Sequence, residues 1–293
     1  MNLAEIKNSL KIDMVETTRG CPEACLHCGA YEDFDRSQLT VQSADPLALK
    51  KYLIRQDKTT GVKLIDLFNK YVTTHVNTEP LRAANFADFA KMVFELSNGK
   101  SQVIAISHGL WVKHADMRKK LEQITELMRV GIVPLFVLTV DSARSRGNIP
   151  PHINKDSYLE TLQVLRTALP YGRITASVQG NSDSQSKLWI EKTKKMFNEV
   201  LELLKLTPEE SGQLLIDSRS YTNTGRSKKF LDLKNSEDCD VIPDSEFVKD
   251  KLPTTHAWRG MIRFDGRLIV QKNRPGKTYG DSATTSLWQE VEL

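Results

Sequence analysis

The chain has 293 residues, 40% of them hydrophobic and 27% charged, with a formal net charge of +4 from 41 basic and 37 acidic side chains. That balance excludes a disordered or collagenous chain, and the length fits a single α/β barrel without forcing two domains. No run of about 18 apolar residues occurs, and the opening MNLAEIKNSLKIDM lacks the basic, apolar and cleavage regions of a leader, so the expectation is a cytoplasmic protein with no membrane partner.

Six segments rich in β-branched or apolar residues read as strands in chain order. They are KIDMVETT (11–18), YVTTHVN (71–77), SQVIAISHG (101–109), VPLFVLTVD (133–141), RITASVQG (173–180) and QLLIDSRS (213–220). Helical patterns lie between most of them. The apolar residues from Asp57 to Lys70 fit either a helix, the reading adopted, or an approach to the second strand, and NFADFAKMVFEL follows at 85–96. In HADMRKKLEQITELM (114–128), Met117, Leu121, Ile124 and Met128 recur on one face and Gly131 follows as a stop. DSYLETLQVLRTAL (156–169) and the long pattern at 184–206, carrying Leu188, Met196, Val200 and Leu204, complete the set. Thr207 to Glu210, TPEE, has the spacing of a capping box.

Strands alternating with helices imply parallel pairing with right-handed crossovers. The expected architecture is therefore α/β, a (β/α)6 partial TIM barrel over residues 1–229. After Arg226 the alternation stops. WRGMIRFDGRLIVQ (258–271) offers two strands around the turn pair Asp265-Gly266, and SATTSLWQEVEL (282–293) a short helix anchored by Leu287 and Trp288. Residues 230–293 are thus expected to form a small C-terminal α+β appendage. Within it Arg259, Arg263, Arg267, Lys272, Arg274 and Lys277 face only Asp265 between Arg259 and Lys277. That stretch is either a solvated hairpin or a seat for an anionic group.

The chemistry concentrates in RGCPEACLHCGAY (19–31), where three of the four cysteines stand at C-x3-C-x2-C and the fourth, Cys239, is remote. Three clustered thiols make a poor disulfide framework and point to metal or redox chemistry. A zinc site needs four ligands, and His27, His75, His108 or Cys239 could complete one. An iron–sulfur cubane takes four cysteines, one per iron, so three would leave one iron open to a ligand.

Following a strand as it does, this motif resembles that of the radical S-adenosylmethionine superfamily, and the resemblance extends over about Lys11 to Lys229. It implies a 4Fe-4S cluster on Cys21, Cys25 and Cys28, with S-adenosylmethionine on the open iron. His27 stands where the family commonly has an aromatic residue near the adenine. Asn77, Thr78, Glu79 and Pro80 stand where it carries Gly-Gly-Glu-Pro to receive the methionyl amino group, with both glycines replaced. VLTVDSA places Thr139 and Asp141 at a strand ending like those near the ribose, and Gly225-Arg226 is similar to the family's ending of the sixth strand. Because barrel sites form at the carboxyl ends of strands, Ser107, His108, Asp141, Gln179, Asn181, Asp217 and Arg219 are expected at one mouth. Among them His108 and Asp141 are the catalytic candidates, and Ser107 and Thr139 cofactor contacts.

The tail resembles the frame of the SPASM and twitch modules, but Gln271 and Lys272 stand near the expected cysteine and Cys239 is a single thiol. No auxiliary cluster is expected. The resemblance implies reductive cleavage of S-adenosylmethionine and removal of a hydrogen from a peptide or small-molecule, natural-product substrate, with a flavodoxin or ferredoxin-type reductant. Nothing resembles the interleaved aromatic and basic residues of a nucleic-acid platform. Two rival classes are a non-catalytic iron–sulfur sensor or partner subunit and a structural zinc protein.

Overall fold

The computed structural model describes residues 1–20, 40–73, 79–109, 115–141, 151–180, 184–220, 257–272 and 288–293, with the backbone alone at 141, 151–154, 178–180, 184–190 and 217–220. A short α1 (Leu3–Ile6), capped by the Asn2 side chain, leads into β1 (Leu10–Val15) and the two-residue β2 (Thr18–Arg19). β3 (Gln42–Ser43) precedes α2 (Pro46–Ile54) and β4 (Phe68–Thr73). Then α3 (Phe86–Leu96), β5 (Gln102–Ser107), α4 (Ala115–Arg129), β6 (Leu135–Asp141), α5 (Pro151–Arg166) and β7 (Arg173–Gly180) alternate. α6 (Ser184–Leu204), α7 (Pro208–Gly212) and β8 (Leu214–Ser220) follow, and β9 (Trp258–Ile262), β10 (Leu268–Lys272) and β11 (Gln289–Val291) close the described chain.

Among the described residues one nine-stranded sheet runs β11-β10-β9-β1-β4-β5-β6-β7-β8. β1 and β4 through β8 are mutually parallel, each joined to the next by helices, which is the α/β partial-barrel arrangement expected of the alternating pattern. β9 also runs parallel to β1, while β10 and β11 are antiparallel additions. The C-terminal strands therefore extend the core sheet at its β1 edge. β1 is consequently flanked on both sides, and five of its six residues are buried, as near-continuous apolar parallel strands are.

Alternation along the strands sends side chains to two faces. Val72, Val103, Ala105, Phe136, Leu138, Ile174 and Ala176 face the helices and pack with Phe89 of α3, Leu121 and Ile124 of α4, Tyr158 of α5 and Phe197 of α6. The opposite face carries Ile104, Leu135 and Val137 as one cluster, with Tyr71 and Ile106 against it. Met14, Met261 and Ile269, with Trp288, fill the same face under β1, β9 and β10.

Two expected elements differ. The C-terminal helix is not formed at residues 289–291, which pair as β11 with β10. Val291 is buried there while Gln289 and Glu290 are exposed, so one apolar residue and a sheet edge outweigh helix periodicity. The stretch 57–70 holds only a 3-10 turn, Leu64–Leu67, running directly into β4. Leu64, Ile65, Leu67 and Phe68 are all buried, with only Asp66 exposed among them, an apolar approach to the strand rather than a helical stripe. α2 escaped the periodicity reading, although Asp45 capping Leu47 with Pro46 at the first turn is a start signal.

Candidate functional site

Parallel pairing brings the carboxyl ends of β1 and β4 through β8 to one edge, and there the inner face turns polar. Thr139 of β6 stands opposite Ser177 of β7, which stands opposite Asp217 of β8. One pleat further on, Asp141, Gln179 and Arg219 are likewise paired in register. Sequence reading placed Thr139, Asp141, Gln179, Asp217 and Arg219 at this mouth and overlooked Thr175 and Ser177. Both hydroxyls are buried, and neither has a hydrogen-bond partner among the described residues. Polar residues at alternate positions of a parallel strand otherwise buried on both faces are the signal that marks them.

Between β4 and β5 the expected residues meet. Glu79 and His108 are 4% and 3% exposed. Glu79 caps the 3-10 turn Pro80–Arg82, its Oε1 accepting from the Leu81 N–H at 3.1 Å. Its Oε2 accepts from the His108 N–H at 3.1 Å and lies 3.2 Å from His108 Nε2, a contact that is an ion pair when the imidazole is protonated. Both carboxylate oxygens thus face this chain's own donors and join the ends of two adjacent strands. Ser107 accepts from the Gly109 N–H at 3.0 Å, and Thr139 donates to the Ser107 carbonyl at 3.3 Å. Gly109 has a φ of 64°, and a Cβ there would lie 2.8 Å from Leu138 Cδ1 and 2.9 Å from Thr161 Cγ2. The turn bearing His108 therefore requires glycine at this position.

Cys21, Cys25, His27, Cys28, Asn77, Thr78 and Asn181 lie outside the described residues, as does Cys239. The stems of the cysteine segment are described. β2 and β3 pair antiparallel, Thr18 with Ser43 and Arg19 with Gln42, and the Ala44 N–H donates to the Thr17 carbonyl at 2.8 Å. Residues 20 and 41 are thereby brought to the two sides of one neck at the carboxyl end of β1. Gly20, buried with a φ of 87°, is the residue that leads into the cysteines.

A group of charges at the β1–β9 junction was read from sequence only as excess positive charge. Glu16, 3% exposed, accepts from Phe264 N–H at 2.9 Å, Arg263 Nε at 3.2 Å and Arg19 Nη2 at 3.3 Å. The Arg19 guanidinium also lies 5.4 Å from the Phe264 ring centroid, within cation–π range. Buried Asp13 lies 3.4 Å from Arg259 Nε, and Arg259 Nη2 is 3.9 Å from Met14 Sδ. Arg267 pairs with Asp265 and Glu290, and Lys272 lies over the Trp258 ring. Three of the six basic residues expected to form a solvated or anion-binding stretch, Arg259, Arg263 and Arg267, are thus engaged within the chain by acids at 13, 16, 265 and 290, and a fourth, Lys272, by Trp258; Arg274 and Lys277 lie outside the described residues.

No protein-family model matches the chain, and no curated protein does. Among solved structures it is similar to BtrN, crystallised in complex with AdoMet and 2-DOIA, at 16% sequence identity and a TM-score of 0.41. The similarity covers 89% of this chain and 71% of that one. No helix among the described residues is long and apolar enough to cross a membrane.

Proposed function

We propose that the chain is a radical S-adenosylmethionine enzyme acting on a peptide or natural-product substrate at the barrel mouth. The observation that carries this reading is C-x3-C-x2-C leaving the first parallel strand through a neck whose two sides are paired at Thr18–Ser43 and Arg19–Gln42. The donor set suits a 4Fe-4S cluster: Cys21, Cys25 and Cys28 supply three soft thiolates, and a cubane with three protein ligands keeps one iron for S-adenosylmethionine. When bound, this pair supplies one-electron cleavage of the sulfonium and, through it, hydrogen abstraction; a flavodoxin or ferredoxin-type protein supplies the electron.

The remaining work falls to the chain's own residues. Glu79 holds the 79–82 turn against His108, and the Asn-Thr-Glu-Pro stretch at 77–80 would receive the methionyl amino group, to whose positive charge a carboxylate is suited. Thr139 and the hydroxyls of Thr175 and Ser177 offer donors and acceptors along the inner face, suited to orienting a substrate rich in hydroxyl, amide or amine groups. His108 and Asp141 stand at the strand ends where a substrate contact or proton donor is needed.

Anaerobic reconstitution with iron and sulfide tests the reading. The expected result is a reduced cluster whose electron paramagnetic resonance signal shifts on adding S-adenosylmethionine, with release of 5'-deoxyadenosine under reductant. Replacing Cys21, Cys25 and Cys28 by alanine removes both. A protein that takes up zinc instead, or a cluster indifferent to S-adenosylmethionine, refutes it and favours respectively the structural-zinc or the non-catalytic iron–sulfur alternative.

A further inference from the structure

We infer that the turn between β9 and β10 is the positioning device of the cysteine-bearing segment, with Glu16, Arg263 and Phe264 as positioning residues. Three contacts converge on the buried Glu16 carboxylate, and they come from opposite ends of the chain. Arg19 belongs to β2, one side of the neck. Arg263 and the Phe264 N–H belong to the turn, 247 and 248 residues away. Arg19 is also held from the other side, since its guanidinium lies against the Phe264 ring.

The turn has its own internal bracing. Arg263 N–H donates to the Arg267 carbonyl at 2.8 Å and Gly266 N–H to the Arg263 carbonyl at 2.9 Å, while the Arg267 side chain grips Asp265. It is seated on the sheet by β9, which pairs with β1 from Leu10–Trp258 to Val15–Ile262 with a one-residue shift in register between Ile12 and Met14, and the Glu16 N–H continues the ladder to the Ile262 carbonyl at 2.7 Å. A braced turn therefore presents two donors and a ring to the one carboxylate and one guanidinium that set the direction of the chain as it leaves β1. Buried carboxylates with several charged or backbone donors hold geometry well, because each lost donor leaves the others' partner in a low-dielectric site.

Arg19 precedes Cys21 by two residues in the sequence, so a change at the neck is expected to be felt at the first cysteine. The bearing of this device on an iron–sulfur cluster rests on the reading proposed above; the coupling of the turn to the neck does not. Neither Arg263 nor Phe264 is among the residues assigned to ligate, bind or react.

The test uses Arg263→Met and Phe264→Leu in the full chain, with Lys272→Met as control on the same hairpin, outside the braced turn, and Arg263→Lys as the conservative rescue. Amide hydrogen exchange is measured before and after anaerobic reconstitution. Loss of a charged hydrogen bond is expected to speed exchange about tenfold at residues 17–19 and 42–44, with β6 and β7 amides unchanged. The control leaves the neck as it was, and lysine restores part of the protection. Alkylation of Cys21 in the iron-free chain, referred to Cys239 as an internal standard, changes in the same two variants only. Neck exchange unchanged in both variants, or exchange accelerated equally over β6 and β7, overturns the proposal. If the neck loosens but the cluster's resonance signal and iron content match the wild type, the positioning of the cluster is overturned. A wild type that takes up no cluster fails the functional reading instead, and leaves the exchange result standing on its own.

Discussion

Asp13 and Glu16 lie three residues apart near the end of β1, each beside an arginine from the C-terminal strands, yet their carboxyls move in opposite directions. Burial pushes Asp13 up from 3.8 to about 6, and the Arg259 guanidinium offsets this only in part because Asp13 Oδ1 has no hydrogen-bond partner among the described residues. Burial acts on Glu16 in the same sense, but the Phe264 N–H together with Arg19 and Arg263 outweighs it and holds the carboxyl below the ordinary 4.5. For Asp13 the folded state keeps a proton that the unfolded chain has released, so the stability present below 3.8 is lost as pH rises through about 6. At roughly 1.4 kcal/mol per pH unit this amounts to about 3 kcal/mol. In urea unfolding of wild type and Asp13→Asn, the wild type is therefore expected to lose about 3 kcal/mol relative to the variant between pH 4 and pH 7.5. A difference between the two that does not change with pH refutes the assignment.

At the scale of elements, the site depends on how strand ends are tied to one another. Glu79 ties the Pro80–Arg82 turn to the start of the turn after β5, and Gly109 locks that turn onto Thr161 of α5, whose hydroxyl donates to the Gly109 carbonyl at 2.6 Å. Gly109→Ala combines left-handed strain with a methyl pressed against Leu138 and Thr161. The expected cost is about 2–4 kcal/mol, read by denaturant midpoint. An unchanged midpoint would mean that the turn adapts freely and that His108 is not held by it. Some element boundaries were legible because a local cause suffices. The capping box is one: the Thr207 hydroxyl accepts from the Glu210 N–H, and Glu210 accepts from the Thr207 N–H. The same Glu210 also receives Arg166 of α5 at 2.7 Å, a contact across 44 residues that no local pattern announces.

Across the whole molecule, the first residues meet the last described ones beside the β11 edge of the sheet. The Glu292 N–H donates to the Met1 carbonyl at 3.0 Å, the Met1 ammonium lies 3.3 Å from the Glu290 carbonyl, and β9 covers the β1 edge. Gly260 of β9 lets that cover sit close: a Cβ there would lie 3.1 Å from Ile12 Cγ1 and 3.2 Å from Leu10 Cδ1. A chain ended after residue 256 would expose the β1 edge and strip Asp13 and Glu16 of the arginines contributed by the tail. It is expected to lose cooperative thermal unfolding, followed by circular dichroism. A sharp transition near the wild-type midpoint would show instead that residues 257–293 are a separable addition.

What the sequence determined by itself is whatever repeats or clusters over a few residues. Apolar alternation with helical stripes sets out a parallel α/β partial barrel, C-x3-C-x2-C puts three thiols in the sequence after its first strand, and Asp265-Gly266 supplies a hairpin. Only the tertiary structure decided that this hairpin lies beside the first strand, because strand order depends on which edges remain to be covered, not on spacing along the chain. That placement turns Arg259 and Arg263 from apparent surface charge into partners of Asp13 and Glu16, some 245 residues away, where burial makes an unpaired carboxylate costly.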